Sequence, residues 1–136
     1  MILSRTLLDS GVFISAARGD RSVAALMKAS LGSSIAIVGA HCLAEFYRGG
    51  GRSAREAQLL NRWRVEMVPV VSEDGKLAGA LLAATRRSNS MDALVVAVAS
   101  RSRVGRIFTS DPGDIGLLRE ALPMGTHRDF VVVDVR

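Results

Sequence analysis

The sequence predicts an α/β fold, a three-layer α/β/α sandwich with a mainly parallel sheet, in one domain that covers residues 1–136. Short apolar segments alternate with segments of helical periodicity along the chain, which is typical of parallel β–α–β units. Several of the predicted strands are apolar throughout, as expected for strands that helices cover on both faces. Nearly half of the residues are apolar, so a chain of this length can bury a sizeable core.

The first half of the chain contains two predicted strands and three predicted helices. The apolar segment "TLLD" predicts a strand that ends near Asp9, and "SVAALMKASL" has helical periodicity. The β-branched run "SSIAIVGA" predicts a second strand. A helix is predicted over "AHCLAEFYRG", with Gly49 as its stop. The amphipathic segment "GRSAREAQLLNRWR" predicts a third helix, in which Ala57, Leu60 and Trp63 could share one face.

A glycine-rich stretch, "RGGGRS" at residues 48–53, separates the last two of these helices. A glycine-rich loop can bind phosphate, but a P-loop follows a strand and ends in Gly-Lys-Ser or Gly-Lys-Thr. This stretch follows a predicted helix and lacks that ending. We therefore interpret it as a mobile hinge between two helices.

The second half continues the alternation. "VEMVPVV" predicts a third strand near a sheet edge because it contains Pro69. "SEDGKLAGALLAATRR" predicts a helix capped by Ser72. "SMDALVVAVASRS" could be a buried strand, but its length, Ser90 as a cap and arginines at its end favour a buried helix. The remaining elements are a strand at "RIFTS", a helix at "PGDIGLLREAL" and a strand at "DFVVVDV".

The chain is basic, with a net charge of +5. A basic domain suits an acidic partner such as nucleic acid, an anionic membrane or an acidic protein. Sixteen of the eighteen basic residues are arginines, whose planar guanidinium binds phosphate in a bidentate manner. An arginine-rich composition is also typical of a GC-rich genome, so the arginine content alone does not choose among these partners.

Cysteine content and hydropathy indicate where the protein works. Cys42 is the sole cysteine, which excludes an internal disulfide and argues against cysteine-ligated zinc. The N-terminal "MILSRTLLDS" has no signal-peptide core, and no apolar run is long enough to cross a bilayer. We therefore expect a soluble protein of the reducing cytoplasm that does not bind a membrane.

Four acidic residues occupy comparable places in the pattern of elements. Asp9 ends the first strand, Glu45 lies in the helix after the second, Asp92 opens the buried helix and Asp111 follows the fourth strand. The carboxyl ends of parallel strands share one edge, where ligands bind, so these residues can meet there. Each also has a local explanation; Asp111 before Pro112, for example, is a good helix cap.

The set of four is more informative than each residue alone. Clustered carboxylates repel one another unless a cation neutralises them, and sites made of oxygen ligands select hard cations such as Mg²⁺ or Mn²⁺. Such a site can activate water against a phosphodiester. The chain has a further set of acids that we expect in polar surroundings. They are Asp20, Glu56, Glu73, Asp74 and Glu120.

Other kinds of acidic or nucleophilic site lack their motifs in this chain. A haloacid-dehalogenase-type phosphatase needs a second Asp where Gly11 stands, and the acidic pair and lysine of a response-regulator receiver are missing. His41 and His127 are too few and too far apart for a zinc protease motif, and His41 is better explained as a helix-start residue. Ser10 does not lie in a Gly-x-Ser-x-Gly elbow.

Four segments, in this order and spacing, resemble the signature blocks of PIN-domain ribonucleases, and are most similar to the VapC-type toxins of bacterial toxin–antitoxin pairs. They are "LLDSGVFISAARGD", "AEFYRGG", "MDALVVAVA" and "FTSDPGDIGLL", which together span residues 7–118. The resemblance implies a PIN-like sandwich with an acidic pocket. The residues that match metal-binding carboxylates are Asp9, Glu45, Asp92 and Asp111. The supporting residues implied by the resemblance are Ser10, Thr109, Asp114 and Asn89, the last of which replaces an acid found in many members.

The resemblance implies metal-dependent hydrolysis of RNA phosphodiester bonds. Asp9, Asp92 and Asp111 would hold Mg²⁺ or Mn²⁺ directly or through water, and Glu45 would complete the set of ligands or orient the attacking water. Arginines at the pocket rim would bind RNA, and the candidates are Arg18, Arg48 and Arg86. The resemblance also implies a homodimer and a small antitoxin protein as partner, whose C-terminal segment would cover the pocket.

Three alternatives stay open at the level of sequence. The chain could be a PIN-domain nuclease of RNA processing outside toxin–antitoxin systems. It could be a non-catalytic PIN module that binds RNA or protein, although such a module is expected to lack at least one core acid. It could also be a metal-dependent phosphatase or DNA nuclease with a similar pocket.

Overall fold

The computed structural model describes residues 4–47 and 51–136. Strands and helices alternate through this part of the chain, as the sequence predicts. The elements in chain order are β1 (Ser4–Leu8), α1 (Ser10–Ala17), α2 (Arg21–Ser30), β2 (Ser34–Gly39), a 3-10 turn (Ala40–Cys42), α3 (Leu43–Phe46), α4 (Gly51–Arg62), β3 (Glu66–Val68), α5 (Ser72–Thr85), α6 (Ser90–Arg101), β4 (Arg106–Thr109), α7 (Pro112–Glu120) and β5 (Val131–Asp134).

The strands of the described segments form one five-stranded parallel sheet in the order β3-β2-β1-β4-β5. The predicted α/β fold with a parallel sheet is therefore confirmed, and β3 is an edge strand as Pro69 predicts. From β1 the chain moves to β2 on one side and later returns to β4 on the other side. The strand order thus reverses between β1 and β4, and a crevice forms at the carboxyl ends of strands at such a point.

Helices cover both faces of the sheet. Successive side chains of a strand point to opposite faces, yet the neighbours Leu7 and Leu8 in β1 are both buried, as are Ile107 and Phe108 in β4. Helices α1 to α4 pack against one another, and helices α5 to α7 form a second group. Within the described residues, no helix is both long and apolar enough to span a bilayer.

The apolar segment at residues 90–101 is a helix, as its length predicts, and it lies in the core. Eight of its twelve residues are buried, which explains why its sequence lacks the one-sided pattern of a surface helix. The prediction that Ser90 caps this helix is wrong. Asn89 is the N-cap, because its Oδ1 accepts the Asp92 N–H at 3.1 Å, whereas Ser90 is already the first residue of the helix.

The start of α5 also differs from the prediction. Ser72 is not the cap, since Val71 occupies that position and its N–H donates to Asp74 Oδ2 at 3.0 Å. Asp74 and Glu56, which the sequence places in polar surroundings, are each only 2% exposed. Hydrophilic neighbours along the chain do not prevent burial when a helix turns that position towards the protein interior.

The predicted helix over residues 40–49 is shorter in the structure. A 3-10 turn (Ala40–Cys42) precedes α3, which ends before Tyr47. The predicted stop at Gly49 and residues 48–50 of the predicted hinge lie outside the described residues, whereas residues 51–53 of that hinge form the start of α4. The predicted face is half-buried and consists of Ala57 and Leu60 in α4 and Trp63 just after it, and the buried residues beside it are Glu56 and Leu59.

An ion pair joins the two helices α5 and α6. Arg101 Nε lies 2.9 Å from Asp74 Oδ1, and Arg101 Nη2 donates to Asp74 Oδ2 at 3.0 Å and to the Pro69 carbonyl at 2.7 Å. The Asp74 side chain is 2% exposed, while that of Arg101 is 37% exposed. The carboxylate is therefore the buried partner, and the guanidinium is its main source of compensation.

We expect the two partners to contribute unequally to stability. Arg101→Ala leaves a buried carboxylate without its cation and should lower the free energy of unfolding by about 2–4 kcal/mol. Asp74→Asn leaves a half-exposed guanidinium that water can solvate, so its loss should be smaller, about 1–2 kcal/mol. Urea unfolding measures both, with the exposed neighbour variant Glu73→Gln as control. Losses within about 0.5 kcal/mol of the control for both variants would contradict this role.

Candidate metal centre

The pairing of β1 with β4 places Asp9 beside Thr109. Leu8 pairs with Phe108 in the ladder, and the Asp9 N–H continues it by donating to the Phe108 carbonyl at 3.0 Å. Thr109 Oγ1 donates to Asp9 Oδ2 at 2.9 Å, and the Ser10 N–H donates to Asp9 Oδ1 at 2.8 Å. Asp9 is also the N-cap of α1. Both oxygens of this carboxylate are thus held in place at the carboxyl edge of the sheet.

Asp92 lies in the first turn of α6 and is 8% exposed. Its Oδ2 is buried and has no hydrogen-bond partner among the described residues. Burial, reinforced by the charges of Asp9 and Asp111, raises the pKa of Asp92 to about 7. An unpartnered buried carboxylate is costly, so this oxygen is a position at which a cation would replace a missing partner.

Asp111 follows β4 and precedes α7. It occupies the N-cap position before Pro112, but its side chain makes no capping hydrogen bond. Its N–H instead donates to Thr109 Oγ1 at 3.0 Å, and its side chain is exposed. The local sequence predicts a cap, and the backbone position fits one, but the carboxylate interacts with Asp92 instead of capping the helix.

Three carboxylates form a compact group, which we call the acidic cluster: Asp92, Asp111 and Asp114. One oxygen from each lies within 4.8 Å of the others. Asp114, which the resemblance implies only as a supporting residue, belongs to this group. Asp9, implied as a direct ligand, is not one of these three and is engaged by Thr109 and Ser10 instead.

The acidic cluster borders a cleft of about 340 Å³. The four acids that the sequence brings together from distant segments all line it. The lining residues are Asp9, Ser10, Gly11, Ile14, Glu45, Asn89, Met91, Asp92, Ser110 and Asp111. Of the supporting residues, Ser10 and Asn89 line the cleft, Thr109 is fully buried against Asp9, and Asp114 stands outside the lining.

The electrostatics of the cleft favour a bound cation. Burial raises the pKa of Asp9, the hydrogen bonds from Thr109 and Ser10 oppose that shift, and the Glu45 carboxylate adds to it. Like charges in a poorly hydrated site disfavour one another's ionised forms. The cluster offers carboxylate oxygens only, which are the ligands that hard divalent cations such as Mg²⁺ and Mn²⁺ prefer. The residues present therefore fit a divalent cation.

Some contributors to the cleft were missed by the sequence analysis. Ser110 lines it, and a Cβ at Gly11 would collide with Ser110 Oγ, so glycine lets α1 start close to the end of β4. His41 Nε2 lies 3.3 Å from the Met91 carbonyl and joins the turn after β2 to the start of α6. Nothing in the sequence indicates that contact, because the two residues are fifty positions apart.

The arginines near the cleft also differ from those named on sequence. Arg18 follows the last turn of α1, about one helical turn beyond Ile14, and does not line the cleft. Arg48 lies outside the described residues, and Arg86, with φ 55°, ends α5 without lining the cleft. Among the described side chains, the arginine paired with the acidic cluster is the next residue, Arg87, whose Nη1 lies 3.7 Å from Asp114 Oδ1.

Three solved structures have a similar fold, and one of them is a toxin–antitoxin complex. VapBC2 from Rickettsia felis, bound to a DNA fragment from its promoter, has a TM-score of 0.67 at 12% identity, covering 95% of this chain and 97% of that chain. A toxin–antitoxin complex from Klebsiella pneumoniae has a TM-score of 0.70 at 16% identity, with coverages of 96% and 98%. FitAcB from Neisseria gonorrhoeae has a TM-score of 0.64 at 15% identity, with coverages of 96% and 97%.

The family assignment rests on sequence and fold together. The chain has no significant match among curated protein sequences, and the identities to the solved structures are low enough that those structures establish the fold alone. The sequence model of the PIN domain, however, matches residues 6–115, which is most of the chain and includes every acid of the cleft. The chain therefore belongs to the PIN-domain family.

Proposed function

We propose that this protein is a metal-dependent endoribonuclease that hydrolyses RNA phosphodiester bonds and acts as the toxin of a type II toxin–antitoxin system. The observation that carries the proposal is the buried, unpartnered Oδ2 of Asp92 within the acidic cluster. It lies at the carboxyl edge of the sheet, beside the point where the strand order reverses, which is where α/β proteins bind ligands.

The acidic cluster would hold Mg²⁺ or Mn²⁺ through Asp92, Asp111 and Asp114. When bound, such an ion supplies a polarised water as nucleophile and neutralises charge on the phosphate. Asp9 would contribute its charge from the neighbouring position, directly or through water. This proposed distribution differs from that implied by sequence resemblance, because Asp114 takes a ligand role and Asp9 is fixed by two hydrogen bonds.

Other residues of the cleft would prepare the reaction without touching the ion. Glu45 lines the cleft and is half-buried, so its carboxylate would orient the attacking water and accept a proton from it. Thr109 holds both the Asp9 carboxylate and the Asp111 backbone. Asn89, which replaces an acid, caps α6 and so positions the turn that carries Asp92.

The toxin role is supported by the fold and by the charge of the chain. One of the similar solved structures is VapBC2, and another is a toxin–antitoxin complex. We propose a small cognate antitoxin as protein partner, a homodimer as the assembly, and the cytoplasm as the site of action. A net charge of +5 suits a polyanionic substrate such as RNA.

We expect RNA cleavage to require both the metal and the acidic cluster. Cleavage of a cellular RNA pool by the purified protein should depend on Mg²⁺ or Mn²⁺ and stop with EDTA. Asp92→Asn and Asp111→Asn should lower the rate about 100-fold or more, because each removes charge that stabilises the reacting group. The exposed variant Asp129→Asn serves as control. Undiminished cleavage by the Asp92 variant, or cleavage of single-stranded DNA at the same rate, would contradict the proposal.

Toxicity gives an independent readout in cells. Induced expression of the wild-type protein should arrest growth, and expression of Asp9→Asn should not, with the cleaved RNAs mapped in both strains. Equal growth arrest by the two proteins would contradict metal-dependent cleavage as the cause. Co-expression of a cognate antitoxin should restore growth of the wild-type strain.

The raised pKa of Asp92 predicts a pH dependence of stability in the metal-free protein. The folded state holds this proton more tightly than the unfolded state, whose pKa is near 3.8. The contribution of Asp92 to the free energy of unfolding is therefore fully present below about pH 4, and it is lost as the pH rises through 7. In EDTA, we expect Asp92→Asn to raise the free energy of unfolding at pH 8 by about 1–3 kcal/mol relative to wild type. Urea unfolding at pH 5 and pH 8 measures this difference.

The same unfolding measurements include a control variant and a result that would contradict the prediction. Asp129→Asn, at an exposed position, should leave the pH dependence unchanged. Added Mg²⁺ should stabilise the wild type more at pH 8 than at pH 5, since protonation of Asp92 opposes metal binding. An Asp92→Asn protein that is less stable than wild type at pH 8 would contradict the picture of a mutually repelling cluster.

The buried hydroxyl of Thr109 can be tested by a variant of nearly the same shape. Thr109→Val removes the hydrogen bond to Asp9 and the one from the Asp111 N–H, so both residues lose their positioning partner. We expect cleavage about 10–100-fold slower, as for other groups that orient metal ligands. Thr109→Ser keeps the hydroxyl and should retain most of the activity. Equal rates for the valine and serine variants would show that the hydroxyl has no such role.

A further inference from the structure

Arg87 lies between the end of α5 and the cap of α6, and it contacts the acidic cluster. Its Nη1 is 3.7 Å from Asp114 Oδ1, and an oxygen of Asp114 lies within 4.8 Å of oxygens of Asp92 and Asp111. Within the described part of the chain, the other ion pairs join Arg101 to Asp74 and Arg136 to Asp134, outside the cluster. The same carboxylate therefore faces both a guanidinium and the place for a divalent cation.

The backbone holds Arg87 in this position. Arg86 has φ 55°, a left-handed conformation that is sterically disfavoured for residues with a Cβ. The Arg87 N–H donates to the Leu82 carbonyl at 3.2 Å, which is the bond from the second residue past the helix in a Schellman motif. The motif ends α5 sharply and fixes where the Arg87 side chain begins. Arg87 is thus placed by a defined turn, and its side chain is 47% exposed to solvent.

We propose that Arg87 is an internal counter-ion of the acidic cluster, which a divalent cation displaces from Asp114 and which then binds a phosphate of the RNA. The second half of this proposal rests on the proposed ribonuclease function, while the first half concerns the cluster alone. It makes Arg87 a substrate-binding residue whose availability depends on the metal.

The physical basis is competition for one carboxylate. Without a metal, three neighbouring carboxylates repel one another, and the guanidinium reduces that repulsion. A divalent cation carries twice the charge and repels the guanidinium, so the two cannot both be held at full strength. The released guanidinium offers paired N–H donors that match phosphate oxygens. Because binding is reciprocal, whatever Arg87 gains from Asp114 is lost from the affinity for metal.

The competition is measured by titrating the metal-free protein with Mn²⁺ in a calorimeter. Arg87→Gln should bind Mn²⁺ about two- to fivefold more tightly than wild type, the range expected for the loss of a half-exposed ion pair. Arg87→Lys keeps the charge and should stay within about twofold of wild type. Arg21→Gln is the matched control, since the Arg21 side chain is exposed and makes no hydrogen bond or ion pair among the described residues.

Steady-state cleavage of a short RNA at saturating Mg²⁺ measures the second role. Arg87→Gln should raise KM at least about fivefold with a smaller change in kcat, because a phosphate contact is lost. Tighter metal binding together with weaker RNA binding is a pair of opposite effects that partial unfolding does not produce. Arg87→Met repeats both measurements with a side chain that lacks hydrogen-bond donors.

Each outcome decides one half of the proposal. Mn²⁺ affinity in Arg87→Gln and Arg87→Met that is equal to or weaker than in wild type would overturn the counter-ion role. An unchanged KM for RNA would overturn the phosphate contact. If the wild-type protein cleaves no RNA, the proposed function fails and the phosphate contact with it, but the Mn²⁺ titration still decides whether Arg87 competes with the metal.

Discussion

The hydrogen bond from Thr109 Oγ1 to Asp9 Oδ2 at 2.9 Å is the contact on which the candidate centre depends. It forms because β1 and β4, a hundred residues apart, are parallel neighbours whose ladder continues to the Asp9 N–H. The same hydroxyl accepts the Asp111 N–H. One buried threonine therefore connects the end of β1 to the turn that starts α7. Glu45 and Asp92 line the same cleft as the two acids that this threonine contacts.

The acidic cluster lowers the stability of the fold when no cation is bound to it. A carboxylate that is 8% exposed and lacks a partner for one oxygen, as in Asp92, opposes folding at neutral pH. The surrounding core offsets this penalty, because α6 buries most of its length against neighbouring helices and the sheet. The ion pair of Arg101 with the buried carboxylate of Asp74 shows the contrast, since there the chain supplies the compensating cation itself.

Much of the fold follows from the sequence because it depends on patterns that are local. Apolar runs, their lengths and the turn residues between them predict the strand–helix alternation, the parallel sheet and the edge position of the strand before Pro69. Cap residues were predicted less well. Asn89 and Ser90 are both good caps by residue type, and only the three-dimensional course of the chain selects Asn89. Ser72 fails as a cap for a similar reason, since the Asp74 carboxylate reaches back to Val71.

The sequence predicts that the carboxylates of the cleft lie close together. Asp9 and Asp111 follow strands and Asp92 opens a helix, and such positions share one edge of a parallel sheet. The sequence by itself therefore determined the fold class and the sheet edge at which these acids line one cleft. Only the tertiary structure decided that Asp114 joins the cluster and that Arg87, rather than Arg86, contacts it. Those outcomes depend on distances of a few ångströms and on side-chain direction, which arise when distant segments pack and leave no local pattern in the chain.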